Sequence, residues 1–381
     1  MMRSLGTPLA HLVAGDGCRV QGADGTWYLD FLAGIAVNAL GHAHPVFVEA
    51  VSRQAGTLAH VSNYFSTPSE LELADRLVRL AGAGESGRVW FGNSGAEAME
   101  AAFKLARLNH RDQGRRKILA LHDAFHGRTM GALALTGKPH MRAPFEPVPG
   151  GVDHIDTSIA ALEASIDETV AALFVEPIKG EAGVLPLPHG FLEAARELTA
   201  RHGALLIVDE IQTGAGRTGD WFGYQHEGVT PDAITVAKGI GGGFPIGALV
   251  TFGAASGLYQ RGMHGSTFGG NPLATATANA VLGEIEQAGL VENARVRGAQ
   301  LAERILAISS PLVTEVRGRG LLLGVGLAEP HAGALATAAL REGLIINAAN
   351  DSSIRLAPPL IIGDAEIDEF IERFSRALAA L

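Results

Sequence analysis

Long apolar runs are missing from this 381-residue chain. No stretch approaches the ~18 uninterrupted apolar residues that a membrane-spanning helix needs, which sets aside a membrane enzyme. Cysteine is almost absent as well: Cys18 stands alone, so no intrachain disulfide can form. Positive charge is in deficit, with a formal net charge of −10 that argues against a general nucleic-acid binder. The first twenty residues, interrupted by Gly6, Pro8, His11 and Asp16, lack the apolar core of a signal peptide, and the expectation is a cytoplasmic protein. The scarcest charged residue is lysine. Only Lys104, Lys117, Lys138, Lys179 and Lys238 occur, against 25 arginines. A chain that writes its cations as arginine keeps a lysine where an amine, and not merely a charge, is needed. Lys238 is conspicuous because it ends the apolar run AITVA, and four of the next five residues are glycine.

What is present is an ordinary globular composition, 47% hydrophobic and 18% charged. Short apolar runs at 88–92, 117–121, 171–177, 204–210 and 233–238 read as strands. They alternate with helical patterns, among them 95–109 and 190–203. Strands apolar on both faces between helices predict an α/β fold with a mainly parallel sheet covered on both sides. From about residue 280 a long helical stretch, a strand-like segment and a terminal helix predict a smaller α+β domain. The expected division is an N-terminal segment, 1–45, packing with the small domain and hairpin-like around Asp24-Gly25. A large domain, 46–280, and a C-terminal domain, 281–381, follow.

Ligands of open parallel sheets bind at the carboxyl ends of the strands. Those ends carry Asn93-Ser94-Gly95-Ala96, Glu176, Asp209-Glu210 and Lys238. Ser94 and Glu97 have the spacing of a capping box. Gly95 and Ala96 leave the first helical N–H groups free to bind a phosphate. GAGRTG at 214–219 matches a dinucleotide fingerprint in form only, because no helix follows; it is read as an active-site loop. His42 and His44 lack a third partner at metal-ligand spacing, so no metal is expected. A lysine, an aspartate and a phosphate cradle are the three things pyridoxal 5′-phosphate requires: an amine to carry its aldehyde, an acid to keep its ring nitrogen protonated, and N–H donors for its phosphate. Phe125 could lie on the ring face.

The ordered motifs NSGAEAMEAAFKLAR, FHGRT, EPIKGEAG, VDEIQTGAGRTG, AKGIGGGFPIGA and STFGGNPLA resemble the class III, fold-type I pyridoxal-phosphate aminotransferases over nearly the whole length. Within that family, FLAGIAVNALGHAHP and HVSNYFSTP look most like the acetylornithine branch. Lys179 stands where the family usually has Gln. The resemblance implies Lys238 as the cofactor-bearing lysine, Asp209 beneath the pyridine nitrogen and Gln212 near the ring oxygen. It implies Ser94, Gly95 and Ala96 at the phosphate, Phe125 on the ring, and His126 and Glu176 in the cofactor's surroundings. Thr267 would reach the phosphate of a neighbouring subunit, so a homodimer with shared sites is implied. Arg128 would bind a distal carboxylate and Arg355 the α-carboxylate of glutamate, with Glu181 pairing to Arg355 for the other substrate; Asn38 and Ser266 would also lie at the substrate. The expected partners are small amino and keto acids. Ornithine, 4-aminobutyrate or succinyl-diaminopimelate aminotransferases would share these cofactor residues. An aminomutase, or a non-catalytic nucleotide-binding sheet protein, remains as an alternative of another class.

Overall fold

The computed structural model describes residues 2, 4 and 6–381. Its centre is a seven-stranded sheet built from β1 (Arg88–Gly92), β2 (Lys117–Leu121), β3 (Val152–Ile155), β4 (Val170–Val175), β5 (Leu205–Asp209), β6 (Ala233–Val236) and β7 (Gly247–Thr251). The spatial order is β1-β7-β6-β5-β4-β2-β3. All neighbours run parallel except β7, which is antiparallel to both β6 and β1. The strands other than β7 therefore bring their carboxyl ends to one edge.

Alternation along each strand explains why the sheet is covered twice. Leu119, Leu173 and Val208 belong to one core cluster, while their chain neighbours Ile118, Phe174 and Ile207 belong to another with Met99 and Phe103 of the helix Gly95–Leu108. Successive residues of a strand point to opposite faces, so a strand apolar throughout needs helices on both. The sequence reading missed β3 and β7. Gly247, lying against the backbone of Ser94, follows the glycine-rich loop so closely that no turn punctuation separates loop from strand.

A four-stranded sheet joins Leu12–Asp16, Arg19–Gly22 and Trp27–Asp30 to Leu344–Ile345 near the other end of the chain. The hairpin around Asp24-Gly25 is present, with Thr26 N–H bonded to the Asp24 carboxylate at 3.0 Å. A further sheet contains Val313–Arg319, Leu322–Leu327, Asn347–Asn350 and Ser353–Leu356. The long helical stretch is two helices, Pro272–Gln287 and Leu290–Ala307, broken at Gly289, whose φ of +65° ends the first and starts the second. The first of them begins at Asn271, whose side chain caps Ala274 N at 2.9 Å, and runs across residue 280.

No residue of GAGRTG lines the cavity at the carboxyl edge of the sheet, though Ala215 lies against Gly239 beside Lys238. Arg217, 2% exposed, donates to the carbonyls of Leu321 (3.2 Å) and Pro358, so the loop is a strut between the central sheet and the C-terminal residues. Burial pushes its guanidinium down to about 9. Of the expected active-site loop, Arg217 therefore serves packing and faces the interior.

Candidate active site

A cavity of about 470 Å³ opens at the carboxyl edge of the central sheet, on the residues that end β1, β4, β5 and β6. Lys238 lies on its wall, one residue beyond Ala237, with φ +47°. That left-handed conformation turns the chain sharply out of β6 into a tight turn over Lys238–Ile240. Burial pulls its amine down to about 8, against the pull of the Glu181 carboxylate in the other direction.

Asp209, 4% exposed, ends β5 on the same cavity. Both of its oxygens are held. Oδ2 meets Nδ1 of His126 at 2.7 Å, while Oδ1 accepts from Ile211 N at 3.0 Å and Thr235 Oγ1 at 3.2 Å. Burial opposes protonation of His126, but the hydrogen bond and charge of Asp209 outweigh it and raise the imidazole above its usual range. Glu176, at the end of β4, accepts Phe125 N–H at 3.0 Å; burial pushes its carboxyl up to about 7. Glu210 turns away from the cavity. It binds Gly223 N, Tyr224 N and Thr213 Oγ1, and burial lifts it to about 7 as well. Of the acidic pair that ends β5, only Asp209 serves the site, as strand alternation requires.

The helix Gly95–Leu108 aims its N-terminus at the cavity. Ser94 Oγ accepts Glu97 N at 3.2 Å, but the return bond of the expected capping box is displaced. Glu97 takes Asn93 N and Asn93 Nδ2, both at 2.8 Å. Gly95 and Ala96 are the first helical residues, whose N–H groups have no acceptor within the helix. A Cβ on Gly95 would meet Ile211 at 2.8 Å, so only glycine lets this backbone approach the cavity floor.

A second cluster lies beside Lys238. Arg355, 1% exposed, comes from Ser353–Leu356. Its Nη1 pairs with Glu181 and reaches Gln212 Oε1 at 3.3 Å; its Nη2 donates to Asn347 Oδ1 at 2.8 Å. Burial raises the Glu181 carboxyl, and Arg355 more than reverses this, holding it below the usual range. Across the cavity Arg128 is exposed, its guanidinium carbon 5.6 Å from the centre of the Phe125 ring.

One cavity thus gathers Lys238, Asp209, the Ser94–Ala96 helix start, Phe125, His126, Glu176 and Gln212, with Arg128 and Glu181 at its sides. Arg355 stands behind Glu181. Asn38 lies next to the wall, beside Gly34 and Gly243. It follows a left-handed turn, Ala33 to Ala36 (φ +49° to +68°), that costs about 1–2 kcal/mol per non-glycine residue. Asp30 supports that turn: its carboxylate accepts Leu32 N and Ala33 N and meets His42 Nε2 at 2.8 Å, which accounts for one histidine of GHAHP. Ser266 is outside the cavity, accepting from Asn93 Nδ2 at 3.2 Å, and Thr267 is exposed next to it. Thr235 and Asn347 were missed. The first hides inside an apolar strand; the second faces Arg355 across the short NAANDSSIR hairpin, whose irregular register the sequence does not show.

These residues fit pyridoxal 5′-phosphate. The donor-bearing helix start suits a phosphate, the doubly held carboxylate suits a ring cation, and the depressed amine suits an aldehyde. Lys179, 6% exposed, is bonded to His122 O and Thr157 Oγ1 and does not line the cavity.

The chain matches the family model for class-III aminotransferases over residues 2–378. It is 54% identical to the acetylornithine aminotransferase of Mycobacterium tuberculosis H37Rv over 372 residues, 97% of this chain and 92% of that one. Its fold superposes on the ornithine aminotransferase of Toxoplasma gondii with a TM-score of 0.94, at 32% identity, covering 100% and 92% of the two chains. The N-acetylornithine aminotransferase of Stenotrophomonas maltophilia gives 0.86, at 38% identity and 97% and 96% coverage.

Proposed function

The chain belongs to the class-III aminotransferases, and from that premise we propose that its substrates are N2-acetylornithine and 2-oxoglutarate, interconverted with N-acetylglutamate 5-semialdehyde and glutamate in arginine biosynthesis. It is a pyridoxal-phosphate-dependent enzyme. The observation that carries a reading of two unlike substrates, one with a carboxylate beside the reacting carbon and one without, is the ion pair of buried Arg355 with half-buried Glu181 beside Lys238. The names of the relatives point the same way.

Glutamate brings two carboxylates. Arg355 takes the α-carboxylate once Glu181 releases it, and Arg128 takes the distal one. A guanidinium fork reads a carboxylate bidentately. Acetylornithine reacts through its side-chain amine, so its carboxylate lies far from the reacting carbon, at Arg128. Nothing anionic then faces Arg355, and Glu181 closes on it. A single site accepts two unlike substrates because the counter-ion of one arginine is exchangeable.

Lys238 would hold the cofactor between turnovers, and its amine, when free, is placed to move the proton at the reacting carbon. An amine shifted down to about 8 has the basicity for that transfer near neutral pH. The bound cofactor supplies an electron sink for the bond that breaks. Asp209 would keep the ring nitrogen charged, its own orientation being fixed by His126, Thr235 and Ile211 N. Phe125 would lie against the ring, and the N–H groups of Gly95 and Ala96 would hold the phosphate.

We further propose a cytoplasmic homodimer in which Thr267 completes the neighbour's phosphate site and Ser266 adjoins its substrate. Support comes from the exposed aromatics around that segment. Tyr64, Phe65 and Phe268 are 91%, 68% and 59% exposed, and Asn63 Nδ2 bonds Ser266 O at 2.9 Å. The large central domain and the smaller C-terminal domain with its N-terminal segment remain our division of the chain. The test is an amino-donor panel with 2-oxoglutarate. Acetylornithine should exceed ornithine, 4-aminobutyrate and succinyl-diaminopimelate in kcat/KM; preference for any of these reassigns the substrate.

A further inference from the structure

Asn347 and Arg355 face each other in register across the antiparallel strands Asn347–Asn350 and Ser353–Leu356. The two ends of the Arg355 guanidinium are held differently. Nη1 carries Glu181, a charged and partly exposed partner, together with the weaker Gln212 contact. Nη2 carries Asn347, a neutral partner on rigid β-structure, at 2.8 Å. Nε is buried without a hydrogen-bond partner among the described residues. Asn347 is therefore the one strong contact that does not have to be broken when Glu181 leaves.

The backbone that carries Glu181 is also tied down. Lys138 Nζ donates to Glu181 O at 2.7 Å, Asn350 Nδ2 to Ala182 O at 2.9 Å, and Arg317 to Gly183 O at 2.7 and 3.0 Å. Exchange at Arg355 thus falls to the Glu181 side chain alone, while the arginine keeps its place.

We propose that Asn347 is a positioning residue for the α-carboxylate site: it fixes the plane of the Arg355 guanidinium through both halves of the reaction, and it must be neutral to do so. An acceptor without charge orients the fork and leaves its positive charge for the substrate. A carboxylate at 347 would be a second, permanent counter-ion, competing with the substrate in a place where Glu181 can yield and it cannot. This rests on the two-carboxylate reading given above.

The test uses holoenzyme and two variants. Asn347→Leu keeps the bulk and removes the acceptor; Asn347→Asp keeps shape and acceptor and adds charge. Glutarate, a five-carbon dicarboxylate with no amine to react, is the probe, its Kd measured by calorimetry. Single-turnover rates with glutamate and with acetylornithine are measured beside it. Asn347→Leu should weaken glutarate about 10-fold, the scale of one hydrogen bond to a charged group. Asn347→Asp should weaken it about 100-fold. In both, the acetylornithine half-reaction should stay within about two-fold, since Arg355 binds no substrate carboxylate there. A merely structural role would lower both halves together, and that result overturns the proposal. Glutarate binding in Asn347→Asp equal to that of the parent overturns it as well, and this variant carries the test if the leucine folds poorly. Arg355→Ala is run alongside. If it too binds glutarate normally, the two-carboxylate reading is what fails; if it loses glutarate while the Asn347 variants do not, only the role of Asn347 is refuted.

Discussion

Replacing Arg355 by alanine should separate the two halves of the reaction. The guanidinium is 1% exposed, so a carboxylate that reaches it is desolvated and bound by charge-assisted hydrogen bonds. Removing one partner of such a buried pair costs about 2–5 kcal/mol. The wild-type protein, however, starts with Arg355 already paired to Glu181. Binding glutamate exchanges one carboxylate for another and returns Glu181, whose side chain is 26% exposed, to partial solvation. The net loss should therefore fall at the lower end, about 2–3 kcal/mol, or roughly 30- to 150-fold in kcat/KM for the glutamate half-reaction. The acetylornithine half should fall by no more than about five-fold. With Arg355 gone, burial acts on Glu181 with less opposition, so its carboxyl should titrate higher than in the parent. Glu181→Ala should reverse the pattern: Arg355 is left buried without its counter-ion, and acetylornithine suffers more than glutamate. Single-turnover absorbance with each amino donor follows the halves separately. Equal slowing of both halves in both variants would refute the exchange and leave Arg355 a structural residue.

Asp209→Asn should retain cofactor yet lose at least about 100-fold in turnover, because an amide cannot hold the ring nitrogen as a cation; near-parental rates would show that another group sets the ring charge. Mixing inactive Lys238→Ala with an inactive Thr267→Ala protein should restore some activity, since one site of each hybrid dimer carries neither defect. No recovery despite demonstrated subunit exchange would place Thr267 at its own subunit's site. In the cofactor-free protein Lys238 should contribute stability against urea that grows between about pH 8 and 10.5. Burial lowers Lys238 from 10.5 to about 8, so across that window the unfolded chain binds a proton that the folded chain lacks, and unfolding free energy rises with pH. The gain is read as the difference from Lys238→Met. A parental slope in that variant contradicts the assignment.

The sheet was legible because β2, β4, β5 and β6 are apolar on both faces, and β1, β4, β5 and β6 end in chemistry-bearing residues. Lys238, Asp209, Glu176 and the Ser94–Ala96 helix start fall on one edge by strand direction alone. β7 was not legible: Gly247 and Ala248 are small because β7 packs against β1 and the Ser94 backbone, so its pattern reads as a continuation of the loop. GAGRTG misled for a related reason. Its glycines allow close packing with the C-terminal residues, where Gly216 meets Val291 and Gly219 meets Arg295, and this is the same small-residue signature that a phosphate loop shows. The capping-box spacing was right for Ser94 and incomplete for Glu97, whose carboxylate reaches one residue further back, to Asn93. The Asp209–Thr235 contact joins neighbouring strands, and the Arg355–Asn347 contact joins the two arms of a hairpin; register decides both, and a single sequence shows register only through its turns.

The central claim is that Lys238 carries the cofactor at the junction of β6 and the glycine loop. Borohydride reduction of the holoenzyme, followed by peptide mapping, addresses it with few alternatives, because the chain has only five lysines. The label should be found on Lys238 and be absent from Lys238→Ala. A label on Lys104, Lys117, Lys138 or Lys179 would contradict the site described above.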